Sequence, residues 1–167
     1  MGVPSSSSFS SENINLRNIT PENIDQVRSL HLALFPVHYN DKFFDHLLQV
    51  GEFAKLAYWG DTCVGLVCCR LENDGLDRSK LYMMTLGVLH PYRHRGIAHR
   101  LVDHILYQAS LCDYISSIYL HVQTVNEAAL SFYRRNGFEV IGYVENYYKN
   151  IPDKHAYIVS RPNRPRT

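Results

Sequence analysis

An apolar stretch, Tyr82-Met83-Met84-Thr85-Leu86-Gly87-Val88, leads to a basic, glycine-containing turn, Arg93-His94-Arg95-Gly96-Ile97-Ala98, and a helical pattern starts at once. The first part reads as a strand. From Gly96 onward, Ile97, Leu101 and Ile105, with Ala98, Val102, Leu106 and Ala109, build one broad apolar helix face. Such a junction presents several unpaired backbone N–H groups at the positive end of a helix, next to fixed positive charge. A diphosphate group fits there.

With 167 residues the chain has room for one domain with a proper core, and not for two ordinary ones. Its 46% hydrophobic and 20% charged content suits a soluble globular protein. A formal charge of +1 leaves no footprint of general nucleic-acid binding, so none is expected. No apolar run approaches the roughly 20 residues of a membrane span, and the first residues lack the pattern of a signal peptide. No membrane association is expected. Cys63, Cys68, Cys69 and Cys112 have neither zinc-ligand spacing nor the look of a disulfide framework. They read as small buried thiols in a reducing compartment.

Residues 1–13 are Ser-rich and read as a disordered tail; Met1-Gly2 with Ser6 meets the short N-myristoylation pattern, without a supporting basic cluster. Ile14 and Leu16 alternate with polar neighbours in a first strand, residues 14–19. Thr20-Pro21-Glu22-Asn23 reads as a cap, and Ile24, Val27, Leu30 and Leu34 recur at helical spacing. A break at Phe35-Pro36-Val37-His38-Tyr39-Asn40-Asp41 precedes a short helix over residues 41–50. Strands are expected over residues 54–59, 63–71 and 81–89, with Gly60-Asp61 as a tight hairpin turn. A strand over 117–122, a helix over 126–135, and strands over 138–144 and 156–159 complete the order β-α-α-β-β-β-α-β-α-β-β. A basic tail, 161–167, follows the domain spanning residues 14–160.

The motif Arg93-His94-Arg95-Gly96-Ile97-Ala98 resembles the R/Q-x-x-G-x-G/A signature of the GNAT superfamily of N-acetyltransferases. So does Asn126-Glu127-Ala128-Ala129 leading to Phe132-Tyr133-Arg134-Arg135-Asn136-Gly137-Phe138-Glu139. The resemblance implies a GNAT fold of the α/β class: a mixed, mostly antiparallel central sheet of about seven strands with helices on both faces. Within the superfamily, further segments resemble the NatE-type N-terminal acetyltransferases, catalytic subunits associated with the NatA complex. They are Phe35-Pro36-Val37-His38-Tyr39-Asn40-Asp41-Lys42-Phe43, Leu81-Tyr82-Met83-Met84-Thr85-Leu86-Gly87, Ile118-Tyr119-Leu120-His121-Val122-Gln123 and Asn146-Tyr147-Tyr148-Lys149.

The reaction implied is acetyl transfer from acetyl-CoA to a free α-amine, by direct attack in a ternary complex. The resemblance implies a cofactor site at Arg93, His94, Arg95, Gly96, Ile97 and Ala98 for the diphosphate, and at Leu86, Gly87 and Val88 for the pantetheine arm. Asn126 and Tyr133 would stand on the far side of the cofactor. Tyr82 and His121 are the implied catalytic pair, aimed at one water that relays the proton; which of them takes it stays open. Phe35, Pro36, Val37, Tyr39, Met84, Tyr147 and Tyr148, with Ile151, would accept an initiating Met and an apolar second residue. Arg70 is a weaker candidate and His38 has no evident role. No metal is implied.

Taken singly, each of these residues also has a plain structural reading: a solvated turn, a core tyrosine, a hydrophobic plug after the first helix. The resemblance further implies NatA subunits and the ribosome as partners, and a cytoplasmic location with the nucleus as a second one. A lysine or small-amine acetyltransferase, and a weakly active scaffold subunit of a ribosomal acetylation complex, are the alternatives.

Overall fold

The computed structural model describes residues 13–35 and 37–166. Among them the strands are β1 (Ile14–Asn18), β2 (Ala54–Trp59), β3 (Thr62–Asn73), β4 (Ser79–Val88), β5 (Ile115–Gln123), β6 (Glu139–Val144) and β7 (Ala156–Pro162). The helices are α1 (Ile24–Leu34), α2 (Asp41–Leu47), α3 (Ile97–Ser110) and α4 (Glu127–Arg135). This is the order expected from the sequence. Hydrogen bonding arranges the strands as β1-β2-β3-β4-β5-β7-β6. The chain divides into two compact units, the first made of residues up to Arg70 with Met84–Gln108, the second of Leu71–Met83 with Ala109–Thr167.

In the first unit β1 pairs antiparallel with β2, and β2 with β3, through the turn where Gly60 takes a φ of +59°. Residues 63–69 of β3 are all buried, as in a strand covered on both faces. Burial pushes the Cys68 thiol up to about 12 and Cys69 well above its ordinary value, so both behave as packing groups. Val27 and Leu30 of α1 and Phe44 and Leu47 of α2 pack with Leu56 of β2 and Leu66 of β3. Gly65 is set by close approach: a Cβ there would stand 2.9 Å from the carbonyl oxygen of Gly87.

Strand ends shift by up to three residues, and two helix ends lie three residues from the expected position. Helix α1 starts at Ile24 rather than after Thr20, because Asn23 folds back: its Oδ1 accepts from the Thr20 N–H at 2.9 Å, and its own N–H donates to the Thr20 carbonyl at 3.1 Å. That local turn competes with helix, the usual behaviour of Asn near a helix start. Helix α2 ends at Leu47 instead of 50, since Gly51 (φ +56°) opens a 3₁₀ turn that feeds β2.

In the second unit β4 and β5 run parallel, their ladder ending at the Tyr82–Tyr119 pair. Strand β7 pairs antiparallel with both β5 and β6. Ile118, Leu120 and Val122 of β5 are buried together with Leu130 and Tyr133 of α4 and Phe138. Strand β7 runs past the expected end to Pro162, and the Asn163 side chain donates to the carbonyls of Ala109, Cys112 and Ile115. The start of the segment read as a tail is therefore tied to the domain. The Ser-rich start, with its myristoylation pattern, and Pro36 lie outside the described residues.

Candidate active site

Parallel pairing of Tyr82 with Tyr119 fixes the site in the second unit, because β-strand side chains alternate faces. His121, two residues beyond Tyr119, shares its face. Here the Tyr82 hydroxyl lies 2.9 Å from His121 Nδ1 and 3.0 Å from the Tyr147 hydroxyl. The Tyr147 ring stacks on the His121 imidazole, with centroids 3.9 Å apart and planes 9° from parallel, and Tyr148 meets Tyr147 edge-on at 4.9 Å. Tyr147 is positioned by a loop held across its base: the Asn146 N–H donates to His155 Nδ1 at 3.1 Å, and the Tyr148 N–H to the Lys154 carbonyl at 2.9 Å.

Burial lowers the basicity of His121, and the nearby Glu72 carboxylate partly restores it. The imidazole is therefore neutral at physiological pH. Its Nδ1 can accept the Tyr82 proton with Nε2 carrying the ring hydrogen. Tyr82 and His121 thus touch directly, whereas the sequence reading had them share a water. Two neighbours were missed. Tyr119 lies beside Tyr82, with centroids 4.9 Å apart, and its hydroxyl donates to the Glu72 carboxylate. Alternation along β5 from His121 was the available signal for Tyr119; Glu72, at the far end of β3, had none.

The first unit holds the turn. A short 3₁₀ segment, His90–Tyr92, leads to Arg93, His94 (φ +63°), Arg95 and Gly96 (φ +82°), and α3 starts at Ile97. Both arginines serve the turn itself. Arg93 Nε donates to the Val88 carbonyl at 3.1 Å and Arg95 to the Pro91 carbonyl at 3.3 Å, while the Arg95 guanidinium also lies over the rings of Trp59 and Tyr92. The expectation that they simply add charge is refined: they brace the loop as well. Gly96 is required by its positive φ, and nothing stands within 4 Å of where a Cβ would be. With no acidic residue in the first turn of α3, and Ile97 and Ala98 opening it, the turn suits a phosphate-bearing group.

Also in this unit, Phe35 lies against Gly87, where a Cβ would come within 2.8 Å of the ring. Tyr39 packs on Phe43 at 4.5 Å and on His31 at 4.6 Å. Val37 is exposed, and Met84 packs partly buried against the core cluster. Leu86 is half-buried and Val88 buried, while Arg70 is exposed on β3. In the second unit Tyr133 is buried with its hydroxyl 4.0 Å from the Met83 sulfur. Asn126 caps α4, its Oδ1 accepting from the Ala129 N–H at 3.1 Å, so its carbonyl oxygen has a structural task. Ile151 is exposed on the loop that carries Tyr147.

The model of the Acetyltransferase (GNAT) family matches residues 24–138. N-alpha-acetyltransferase 50 of Danio rerio is 45% identical over 151 residues, covering 90% of this chain and 89% of its own. The probable N-acetyltransferase san of Drosophila melanogaster is also 45% identical, over 90% of this chain and 82% of its own. Among solved structures, Arabidopsis thaliana Naa50 in complex with the bisubstrate analogue CoA-Ac-MVNAL superposes with a TM-score of 0.83 at 44% identity, over 89% of this chain and 98% of that one. On its strand order, its basic glycine turn and this family match, the chain belongs to the GNAT acetyltransferase family.

Proposed function

We propose that this enzyme transfers acetyl from acetyl-CoA to the α-amine of polypeptides that begin with Met and an apolar residue. The observation that carries the reading is the Tyr82–His121–Tyr147 cluster, found in a chain 44% identical to an enzyme solved with a CoA conjugate of a Met-starting peptide. When bound, acetyl-CoA supplies an activated thioester carbonyl. By the family resemblance, Arg93, His94, Arg95, Gly96, Ile97 and Ala98 would hold its diphosphate and Leu86, Gly87 and Val88 its arm, and the resemblance also assigns Asn126 and Tyr133 to the cofactor.

The chain's own residues manage the proton. A Tyr82 hydroxyl that donates to His121 Nδ1 and accepts from the Tyr147 hydroxyl can also accept an N–H from the attacking amine, directly or through a water. As the amine attacks, its proton passes to Tyr82 Oη while the Tyr82 proton passes to His121. The phenol need never ionise, which removes the difficulty of its ordinary pKa near 10. His121 is the final acceptor, and Tyr147 orients Tyr82 by the hydrogen bond between the two hydroxyls.

A weak base of this kind suits an α-amine. With a reference pKa of about 8, roughly 10–20% of such amines are neutral near pH 7, against well under about 1% of lysines near 10.4. The family resemblance assigns Phe35, Pro36, Val37, Tyr39, Met84, Tyr147 and Tyr148 to the first two side chains of the peptide. Peptides starting Met-Leu, free or blocked at the N-terminus and each containing one lysine, test the reading. Turnover is expected only on the free peptides, and equal turnover on the blocked ones overturns it.

The NatE-type resemblance supports a place beside NatA subunits at the ribosome. The buried free thiols Cys63, Cys68 and Cys69 suit a reducing compartment such as the cytoplasm, with the nucleus as a second location. Affinity purification of the tagged protein, followed by identification of NatA subunits and ribosomal proteins, tests the association.

A further inference from the structure

The proton-handling cluster rests on a second layer that the proposed mechanism leaves unused. Tyr119 stands directly opposite Tyr82 in the parallel ladder, so the two rings are held side by side, with centroids 4.9 Å apart and planes 51° from parallel. The same ring is 6.4 Å from the His121 imidazole. Its hydroxyl donates to Oε1 of Glu72 at the end of β3. The Lys80 ammonium lies 5.8 Å from the Tyr119 ring centre and forms a salt bridge with Asp74 at 3.7 Å.

The groups facing His121 can be named by element. Strand β4 contributes Tyr82, with Lys80 further along; β5 contributes Tyr119; β3 contributes Glu72; the loop after β6 contributes Tyr147; and β7 sets apolar Ile158 opposite His121. Glu72 is the negative group acting on the imidazole. Resting on the reading of Tyr82 and His121 given above, we propose that Glu72 is a positioning residue of the acetyl-transfer site. Its carboxylate holds the Tyr119 ring against Tyr82 and supplies the negative charge that His121 faces once it has taken the proton.

The two parts of this role separate by substitution. In Glu72→Gln the amide oxygen still accepts from the Tyr119 hydroxyl, so the ring stays seated while the charge is lost. In Tyr119→Phe the charge stays and the hydrogen bond is lost. Without the charge the imidazolium is less favoured, so His121 gives up its proton more readily. The acid limb of kcat at saturating Met-Leu peptide and acetyl-CoA therefore moves to lower pH in Glu72→Gln, by about half to one pH unit. The plateau above it falls a few-fold, because a weaker base accepts the amine proton less well.

The experiment is an NMR titration of the His121 imidazole in the full-length protein, alongside the pH profile of kcat. His121→Ala assigns the resonance and reports whether the acid limb belongs to His121. The expected result is a His121 midpoint lowered in Glu72→Gln and little moved in Tyr119→Phe, with kcat reduced in both. An unmoved midpoint in Glu72→Gln, with thermal melting showing the variant folded, overturns the role of Glu72. An acid limb that survives in His121→Ala overturns the reading of the catalytic pair itself, and the two failures are thereby distinct.

Discussion

Replacing His31 by leucine isolates a pH dependence built into α1. The imidazole is 1% exposed. Phe35, Tyr39, Phe43 and Phe44 ring it at centroid distances of 4.9, 4.6, 5.0 and 5.9 Å. Its Nε2 has no hydrogen-bond partner among the described residues. Burial among these rings disfavours the imidazolium and lowers the pKa from 6.5 to about 4. Between those two values the unfolded chain binds a proton that the folded chain does not. By linkage, stability falls as the pH drops through this window, and the loss is complete only below the folded value. At about 1.4 kcal/mol per pH unit the whole effect is about 3 kcal/mol, of which about 2 kcal/mol appears between pH 7 and pH 5. For a domain of this size that is a fall of about 4–8 °C in melting temperature. Thermal unfolding of the wild type and His31→Leu at both pH values makes the measurement. Burial also lowers His104 and His121, and the Lys55 hydrogen bond holds Glu52 down, but these are common to both proteins and cancel in the difference. The wild type is expected to lose about 2 kcal/mol more than the variant. Equal losses would mean that the ring cluster admits the charged form, and the account of the cage would be wrong.

Three further outcomes follow from the geometry. Tyr82→Phe and His121→Ala are each expected to lower turnover about tenfold or more while acetyl-CoA binding, measured by calorimetry, is retained; Tyr147→Phe, which loses one hydroxyl hydrogen bond, should cost about fivefold. Unchanged turnover in Tyr82→Phe and His121→Ala would remove the pair from the mechanism. Gly96→Ala places a side chain at a φ of +82°, so the affinity for acetyl-CoA should fall with peptide KM unchanged, and unaltered binding would count against the turn as the diphosphate seat. Gly65→Ala puts a Cβ 2.9 Å from the Gly87 carbonyl oxygen, a backbone atom that cannot swing aside, and urea unfolding should show a loss of about 1–3 kcal/mol.

Much of the fold was legible because its signals are local. The periodicity of Ile97, Leu101 and Ile105 places α3 without reference to the rest of the chain, and Gly60-Asp61 marks the β2–β3 hairpin by the positive φ it needs. The boundaries that moved did so through equally local competition, as where Asn23 bonds back to Thr20. The roles of Arg93 and Arg95 were only half legible. Charge can be counted in a sequence, but whether a guanidinium faces outward or donates to the carbonyls of Val88 and Pro91 depends on where the turn puts those carbonyls.

The sequence by itself determined the order of elements, the basic glycine turn at the head of α3 and the kinship that ties them to acetyl transfer. Each of these depends on residues near in the chain or on a motif carried whole. Only the tertiary structure decided what surrounds the proton-accepting imidazole. Parallel pairing in register sets Tyr119 opposite Tyr82, a hydrogen bond across strands brings in Glu72, and the loop after β6 lays Tyr147 flat on His121. Those contacts join residues dozens of positions apart. Chain folding alone makes them neighbours, and that nearness decides which groups the His121 imidazole faces.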